Sequence, residues 1–296
     1  MTMSVVLAVT LQTCHGLPIH CVLKLYDRRF GSCLRYILKK KTAPHTPENE
    51  AAFEAFVRRG MMPGFLRYPK KRNETEDFAV TAREFLDEGN RTDSLAKYEA
   101  TLWRDCIEHF ECETKAYNRL ADCQGRLVPH VLAHVSLSTT QLTAMPPEAA
   151  PYFEVKGILL ERIDGFCLED LTLATPLPSN LRTWQQLIQS GADVAHEINR
   201  RGIIMEDCAP RNVVVDKQSH TPRIIDLAQC RFRDELVEQW YKWDTDNPGA
   251  IGAVMVNLVQ KKTGAKLPIR YPDYRAIIAG IKRRKAEAAV ADRKRA

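Results

Sequence analysis

The segment from Gly202 to Arg231, GIIMEDCAPRNVVVDKQSHTPRIIDLAQCR, constrains this chain more than any other. It follows residues 181 to 200, where Trp184, Leu187, Ile188, Gly191, Ala195 and Ile198 recur at the spacing of one helix face. Asn199 to Gly202 provide the stop. Asp207 and Asn212 then lie five residues apart on a loop. Two β-rich runs, 212–216 and 223–226, read as strands of a hairpin joined by Lys217-Gln-Ser-His-Thr-Pro222, and Asp226 ends the second. Asp-x-x-x-x-Asn alone is a weak signal, because both residue types also cap turns. A helix, a loop carrying Asp and Asn, a hairpin and an Asp at its end, in that order, are far more restrictive.

This order suits phosphoryl transfer. The triphosphate needs divalent cations, and hard oxygen ligands favour magnesium. Asn212 and Asp226 would offer such oxygens from neighbouring strand ends. Asp207 would orient an acceptor hydroxyl and take its proton. A hairpin holds the two ligands in fixed relation.

The segment resembles the catalytic loop and metal-binding loop of protein kinases and of the smaller kinase-like phosphotransferases. The resemblance implies Asp207 as the catalytic-loop Asp, Asn212 as its Asn and Asp226 as the metal-binding Asp. Upstream, Val22-Leu-Lys24-Leu-Tyr looks like the third strand with its phosphate-contacting lysine, Lys24. Glu113 looks like the helix glutamate that pairs with it, although Glu111 lies nearby on the same helix. Gly157-Ile-Leu-Leu-Glu-Arg-Ile163 looks like the strand leading into the hinge, so backbone groups near Glu161 and Ile163 would bind adenine. The likeness covers about residues 18 to 260. It looks closest to kinase-like proteins abundant in fungal genomes, through Leu-Lys-Leu-Tyr-Asp and Ala-Pro-Arg-Asn.

The fold implied is α+β and bilobal. A β-rich amino-terminal lobe, residues 1–163 with a long insertion at about 31–92, sits over a mainly helical carboxy-terminal lobe, 164–296. The cofactors implied are ATP and Mg2+, and the acceptor is a protein Ser/Thr or a small-molecule hydroxyl. Four departures stand against the pattern. No glycine occurs in residues 1 to 10, where a glycine-rich loop is expected. The residues before Asp207 are Met205 and Glu206, not His-Arg. Asp-Phe-Gly becomes Asp226-Leu227-Ala228, and no Ala-Pro-Glu follows. A pseudokinase, binding without turnover, is the alternative these departures support. The reduced activation segment leans towards a small-molecule acceptor.

The rest of the chain reads more blandly. Residues 4–12 and 18–26 read as two strands with the turn residues His15, Gly16 and Leu17 between them, hence a hairpin; the first run could imitate a signal-peptide core but lacks a preceding Lys or Arg. Residues 43–92 are polar and interrupted by Pro44, Pro47, Pro63 and Pro69, with one helix at Glu48–Arg59. A long helix is expected over 93–121, ended by Gly125, then strands at 127–137 and 157–161. From Asp234 the chain reads as mainly helical, with Trp240 and Trp243 as packing residues. No stretch is apolar enough to cross a bilayer. The nine cysteines show no metal spacing and read as reduced thiols of a cytosolic or nuclear protein. Net charge is +6, and much of it comes from the tail 282–296. That tail is read as a solvated terminal helix in preference to a nucleic-acid patch.

Overall fold

Two β-rich strands joined by a turn begin the first sheet of the computed structural model. Residues 4–12, 14, 16–31, 33–37, 41–75, 80–86, 91–138, 146–173, 180–233, 246–271, 279, 283 and 287 are described. The chain divides into two compact units, Met1–Thr114 with His130–Arg162, and Lys115–Pro129 with Ile163–Ala296.

In the first unit, β1 (Val5–Gln12) and β2 (Pro18–Tyr26) pair antiparallel, Val5 opposite Leu25 and Gln12 opposite Pro18. A two-residue-strand hairpin follows, β3 (Tyr36–Ile37) with β4 (Lys41–Thr42). The main sheet is completed by β5 (Val131–Ser138) and β6 (Glu154–Glu161), in the order β1-β2-β6-β5, all antiparallel. β5 starts at Val131, not at residue 127 as the sequence suggests. Residues 127–129 belong to the other unit, where the Leu127 carbonyl accepts the Ile224 amide at 2.9 Å.

The stretch 43–92 holds more structure than its prolines imply. Helix α1 (Pro47–Arg58) starts as expected, with Pro47 in its first turn and the Thr46 hydroxyl accepting the Asn49 amide at 3.2 Å. A second helix, α2 (Met62–Thr75), was not expected. Pro63 sits at its start, where the missing amide hydrogen is not needed. Met62 is fully buried, and Phe65 and Leu66 pack on the core made by Phe53, Phe56, Val57, Ala96 and Ala100. Burial of that apolar edge outweighs the weak local propensity. Helix α3 (Arg91–Arg119) supplies the opposite face through Ala96, Ala100, Tyr98 and Leu102. The inserted region is thus packed on α3 with an apolar core of its own.

In the second unit, α4 (Leu181–Arg200) has the expected bounds and buries Trp184, Leu187, Ile188, Gly191, Ala195 and Ile198. The Asn180 side chain accepts the Thr183 amide at its start, and Gly202 at φ +81° turns the chain after its end. β7 (Gly165–Cys167), β9 (Val213–Asp216) and β10 (Pro222–Ile224) form a sheet in the order β10-β9-β7. β8 (Ile203–Met205) pairs antiparallel with β11 (Cys230–Phe232). Helix α5 (Asp246–Thr263) packs on α4, with Ile251, Met255 and Val259 fully buried. Among the described residues no helix is long and apolar enough to cross a membrane. All nine cysteines are free thiols. His15, Trp240, Trp243 and most of the tail lie outside the described residues.

Candidate functional site

One candidate cluster lies in the first unit. Lys24 lies in β2 between Val6 of β1 and Ile158 of β6. Residues two apart on a strand share a face, so Lys24 and Tyr26 point the same way. Both reach the same atom: Lys24 Nζ meets Glu113 Oε2 at 2.6 Å, and the Tyr26 hydroxyl donates to that oxygen too. The lysine side chain is 6% exposed and the glutamate 0%. The ambiguity between two glutamates is resolved in space, because Glu111 is exposed while Glu113 is buried against Lys24. A carboxylate removed from water is tolerable only with donors in place, and these two supply them. Phe110 of α3 stands edge-on to the Tyr26 ring, centroids 5.6 Å apart. Ala8, Val22 and Leu160 are cross-strand neighbours in the row beside Lys24, forming an apolar strip on its face of the sheet.

Glu161 ends β6, where its amide donates to the His130 carbonyl at 2.9 Å and its carboxylate accepts the His130 amide at 3.1 Å. That amide is therefore committed within the chain. Ile163 is half-buried and belongs to the second unit.

The second unit holds the other cluster, and it is braced from behind. Asn247, in the first turn of α5, donates to the Met205 carbonyl at 2.7 Å and accepts the Met205 amide at 2.9 Å. Asn199 of α4 donates to the same Asn247 oxygen at 2.7 Å and to the Ile203 carbonyl at 2.8 Å. Met205 also pairs with Cys230 of β11, and the Glu206 amide donates to the Gln229 carbonyl at 2.8 Å. Glu206 takes the Arg231 guanidinium at 2.6 Å, so the acidic residue preceding Asp207 is answered by a cation from the neighbouring strand.

Asp207 follows directly. Its Oδ1 accepts from Arg211, and Asn212 Nδ2 donates to its Oδ2 at 3.1 Å and to its carbonyl at 2.8 Å. A short 3-10 turn, Pro210–Asn212, makes this return possible. The Asn212 carbonyl then accepts the Ile225 amide at 3.0 Å, one residue before Asp226. A single backbone bond thus brings Asn212 next to Asp226. β10 stops at Ile224, so Asp226 stands two residues beyond the strand and not on its last residue as the sequence suggests. Asp226 is half-buried and its Oδ1 accepts the Ala228 amide at 3.3 Å. Leu227 and Ala228 are buried and anchor the turn. Cys208, beside Asp207, is no nucleophile: burial, reinforced by the Asp207 charge, pushes its thiol up to about 12.

The donor set fits magnesium. Because the Asn212 amide nitrogen is turned onto Asp207, its Oδ1 is the atom that could face a cation. With the Asp226 carboxylate that makes two hard protein oxygens, and Mg2+ ordinarily takes one or two such ligands with the rest from phosphate and water. Among the described residues no cluster of three or more His, Cys, Asp or Glu forms a closed cage.

Three participants escape sequence reasoning: Tyr26, Asn247 and Arg231. Tyr26 had one available signal, its place two residues after Lys24. Asn247 had another, an Asn ahead of a Pro at a helix start.

No protein-family model matches the chain, and no curated protein matches it. Among solved structures, the chain is similar to WaaP in complex with acyl carrier protein, at 14% identity and a TM-score of 0.33. The match covers 60% of this chain and 75% of that one. At that TM-score the likeness is too loose to bear on what this chain does.

Proposed function

We propose that the chain is an ATP-dependent phosphotransferase of the protein-kinase-like type, moving the γ-phosphoryl group of ATP to a hydroxyl acceptor. The observation that carries this reading is the backbone bond from the Ile225 amide, one residue before Asp226, to the Asn212 carbonyl, with the Asn212 amide folded onto Asp207. In this reading Asn212 and Asp226 would offer two hard oxygens to a cation, and the Asp207 carboxylate would be left for the acceptor. The buried Lys24–Glu113 pair is the second support, since a lysine held in a dry site by an anion is poised for phosphate.

In this reading Lys24 holds the α- and β-phosphates, and Glu113 orients Lys24. Asn212 and Asp226 hold magnesium, which when bound neutralises the triphosphate and the leaving diphosphate. The Asp207 carboxylate accepts a hydrogen bond from the acceptor hydroxyl and takes its proton as the new O–P bond forms and the bond to ADP breaks. Arg211 and Asn212 fix the Asp207 rotamer. Adenine would lie on the apolar strip of Ala8, Val22 and Leu160, and its polar contact there would have to be a backbone group near Glu161 other than the Glu161 amide, which His130 holds. The acceptor is a protein Ser/Thr or a small-molecule hydroxyl.

The test is transfer of labelled γ-phosphate from Mg-ATP to a panel of hydroxyl acceptors and to water. Asp207→Ala should lower turnover by about 10²- to 10⁴-fold and leave Mg-ATP affinity within twofold. Equal turnover in wild type and variant rejects the assignment. A second reading, nucleotide binding without turnover, is favoured by residues 1 to 10, which carry no glycine where a glycine-rich loop is expected. It predicts tight Mg-ATP binding and no transfer above the Asp207→Ala background.

A further inference from the structure

We infer that the acceptor is a small hydroxyl compound carrying a carboxylate or phosphate close to its hydroxyl, and that Arg211 is the residue that selects it; this rests on the phosphotransferase reading above. Arg211 stands four residues after Asp207, on the short 3-10 turn Pro210–Asn212. Its guanidinium donates to Asp207 Oδ1 through Nη2, and among the described residues it has no other partner. The Arg211 side chain is 55% exposed and that of Asp207 37%. A guanidinium carries several N–H donors in a planar fork, so donors remain for a second anion beside the proposed base. Asp207 likewise keeps a lone pair on each oxygen for an acceptor hydroxyl, since Oδ1 takes Arg211 and Oδ2 takes Asn212.

Holding the loop does not by itself call for an arginine. The Asn212 amide already ties the Asp207 carbonyl and its Oδ2, and an exposed ion pair four residues apart adds little stability. The local charges also admit an anion. Glu206, the residue before Asp207, is offset by Arg231 at 2.6 Å, and Asp207 by Arg211, so the loop does not repel an acidic acceptor as two bare carboxylates would. A hydroxyl on Asp207 and an anionic oxygen on Arg211 would lie about 4–6 Å apart, each one hydrogen bond from the ion pair. In the transfer the hydroxyl oxygen forms the bond to Pγ, the bond from Pγ to the ADP oxygen breaks with its electrons passing to ADP, and the hydroxyl proton goes to Asp207. Arg211 keeps its bond to Asp207, holds the anionic group and makes no covalent bond.

The test measures transfer of labelled γ-phosphate from Mg-ATP by the full chain to glycerol, glycerate, glyceramide and glycerol 3-phosphate, with water as the reference acceptor. Wild type should favour glycerate and glycerol 3-phosphate over glycerol and glyceramide by about tenfold or more in kcat/KM. Arg211→Gln should bring that ratio to within about twofold of parity, and Arg211→Lys should keep part of it. The ratio separates selection from support of Asp207, because a merely structural role lowers transfer to all four acceptors alike. An equal loss across the four, or a wild type that uses glycerol as well as glycerate, overturns the inference and leaves the phosphotransferase reading intact. So does transfer to water with none to either anion, or a stronger preference for a peptide whose Ser is followed by Asp. No transfer to any acceptor or to water removes that reading and the inference with it. Should Arg211→Gln fold poorly, glycerate against glyceramide in wild type takes the charge from the ligand instead, and equal use of the two counts against Arg211.

Discussion

Replacing Asn247 by Ala tests how the loop carrying Asp207 is held. The Asn247 amide satisfies the Met205 N–H at 2.9 Å and the Met205 carbonyl at 2.7 Å, and it accepts from Asn199 at 2.7 Å. Met205 and Asn247 are nearly inaccessible, 3% and 4% exposed, and Asn199 is 0% exposed. Water cannot easily replace what the variant removes. Leaving a buried backbone donor and acceptor unpaired costs about 1–3 kcal/mol each, so about 3 kcal/mol is expected after partial relaxation. Asn199 retains its bond to the Ile203 carbonyl, which limits the third loss. At roughly 2–4 °C per kcal/mol for a chain of this size, the melting temperature should fall by about 6–12 °C. Differential scanning calorimetry reads it. Asn247→Leu separates hydrogen bonding from packing, because it fills the space and restores no polar partner. If Asn247→Leu melts like wild type, or Asn247→Ala falls by under about 2 °C, bracing through Met205 is refuted.

Two other results follow from the same geometry. His45 sits between Glu50, at 3.1 Å, and Glu99, at 3.8 Å, in a network with Arg28 and Arg35. Hydrogen bonds to Glu50 and Glu99 raise its pKa. For Glu50, burial pushes upward, but the His45 hydrogen bond and Arg28 win and hold it at about 2. The His45 contribution to stability is therefore complete below its unfolded value and is lost as pH rises through the raised folded value. The Glu50 contribution is present above the ordinary carboxylate value and is lost as pH falls towards about 2. Melting curves against pH should lose their alkaline-side decline in His45→Gln; an unchanged profile contradicts the assignment. Gly165→Ala should be severely destabilising, because an added Cβ would come within 2.1 Å of the Val215 carbonyl oxygen, a backbone atom held in the β7–β9 pair. Thermal unfolding should show a loss of about 3 kcal/mol or more, and a stable Gly165→Ala protein would mean β7 is not seated on β9.

Local patterns in the sequence carried much of this structure. The α4 face was readable because six apolar residues repeat at helical spacing, and the helix has the expected bounds. The β1–β2 hairpin was readable from two β-rich runs flanking a glycine-bearing turn. Prolines misled in α2, where Phe65 and Leu66 gain burial that no local rule registers. At the candidate sites the sequence order brought out Asp207, Asn212 and Asp226, yet it could not choose between Glu111 and Glu113. That choice depends on which turn of α3 meets β2, a contact 89 residues apart in the chain. Tyr26 to Glu113 and Asn247 to Met205 span 87 and 42 residues. Single polar contacts at such separations have no period, and only the fold brings them together.

Magnesium-dependent ATP binding tests the central claim most directly. Mg-ATP would be titrated into wild type and Asp226→Asn with melting temperature as the readout, then repeated with chelator. At about a hundred times the dissociation constant, binding should stabilise wild type by about 2.7 kcal/mol, a rise of several degrees. The account predicts that this rise disappears with chelator and in Asp226→Asn. A rise that survives both, or no rise in wild type, would contradict it.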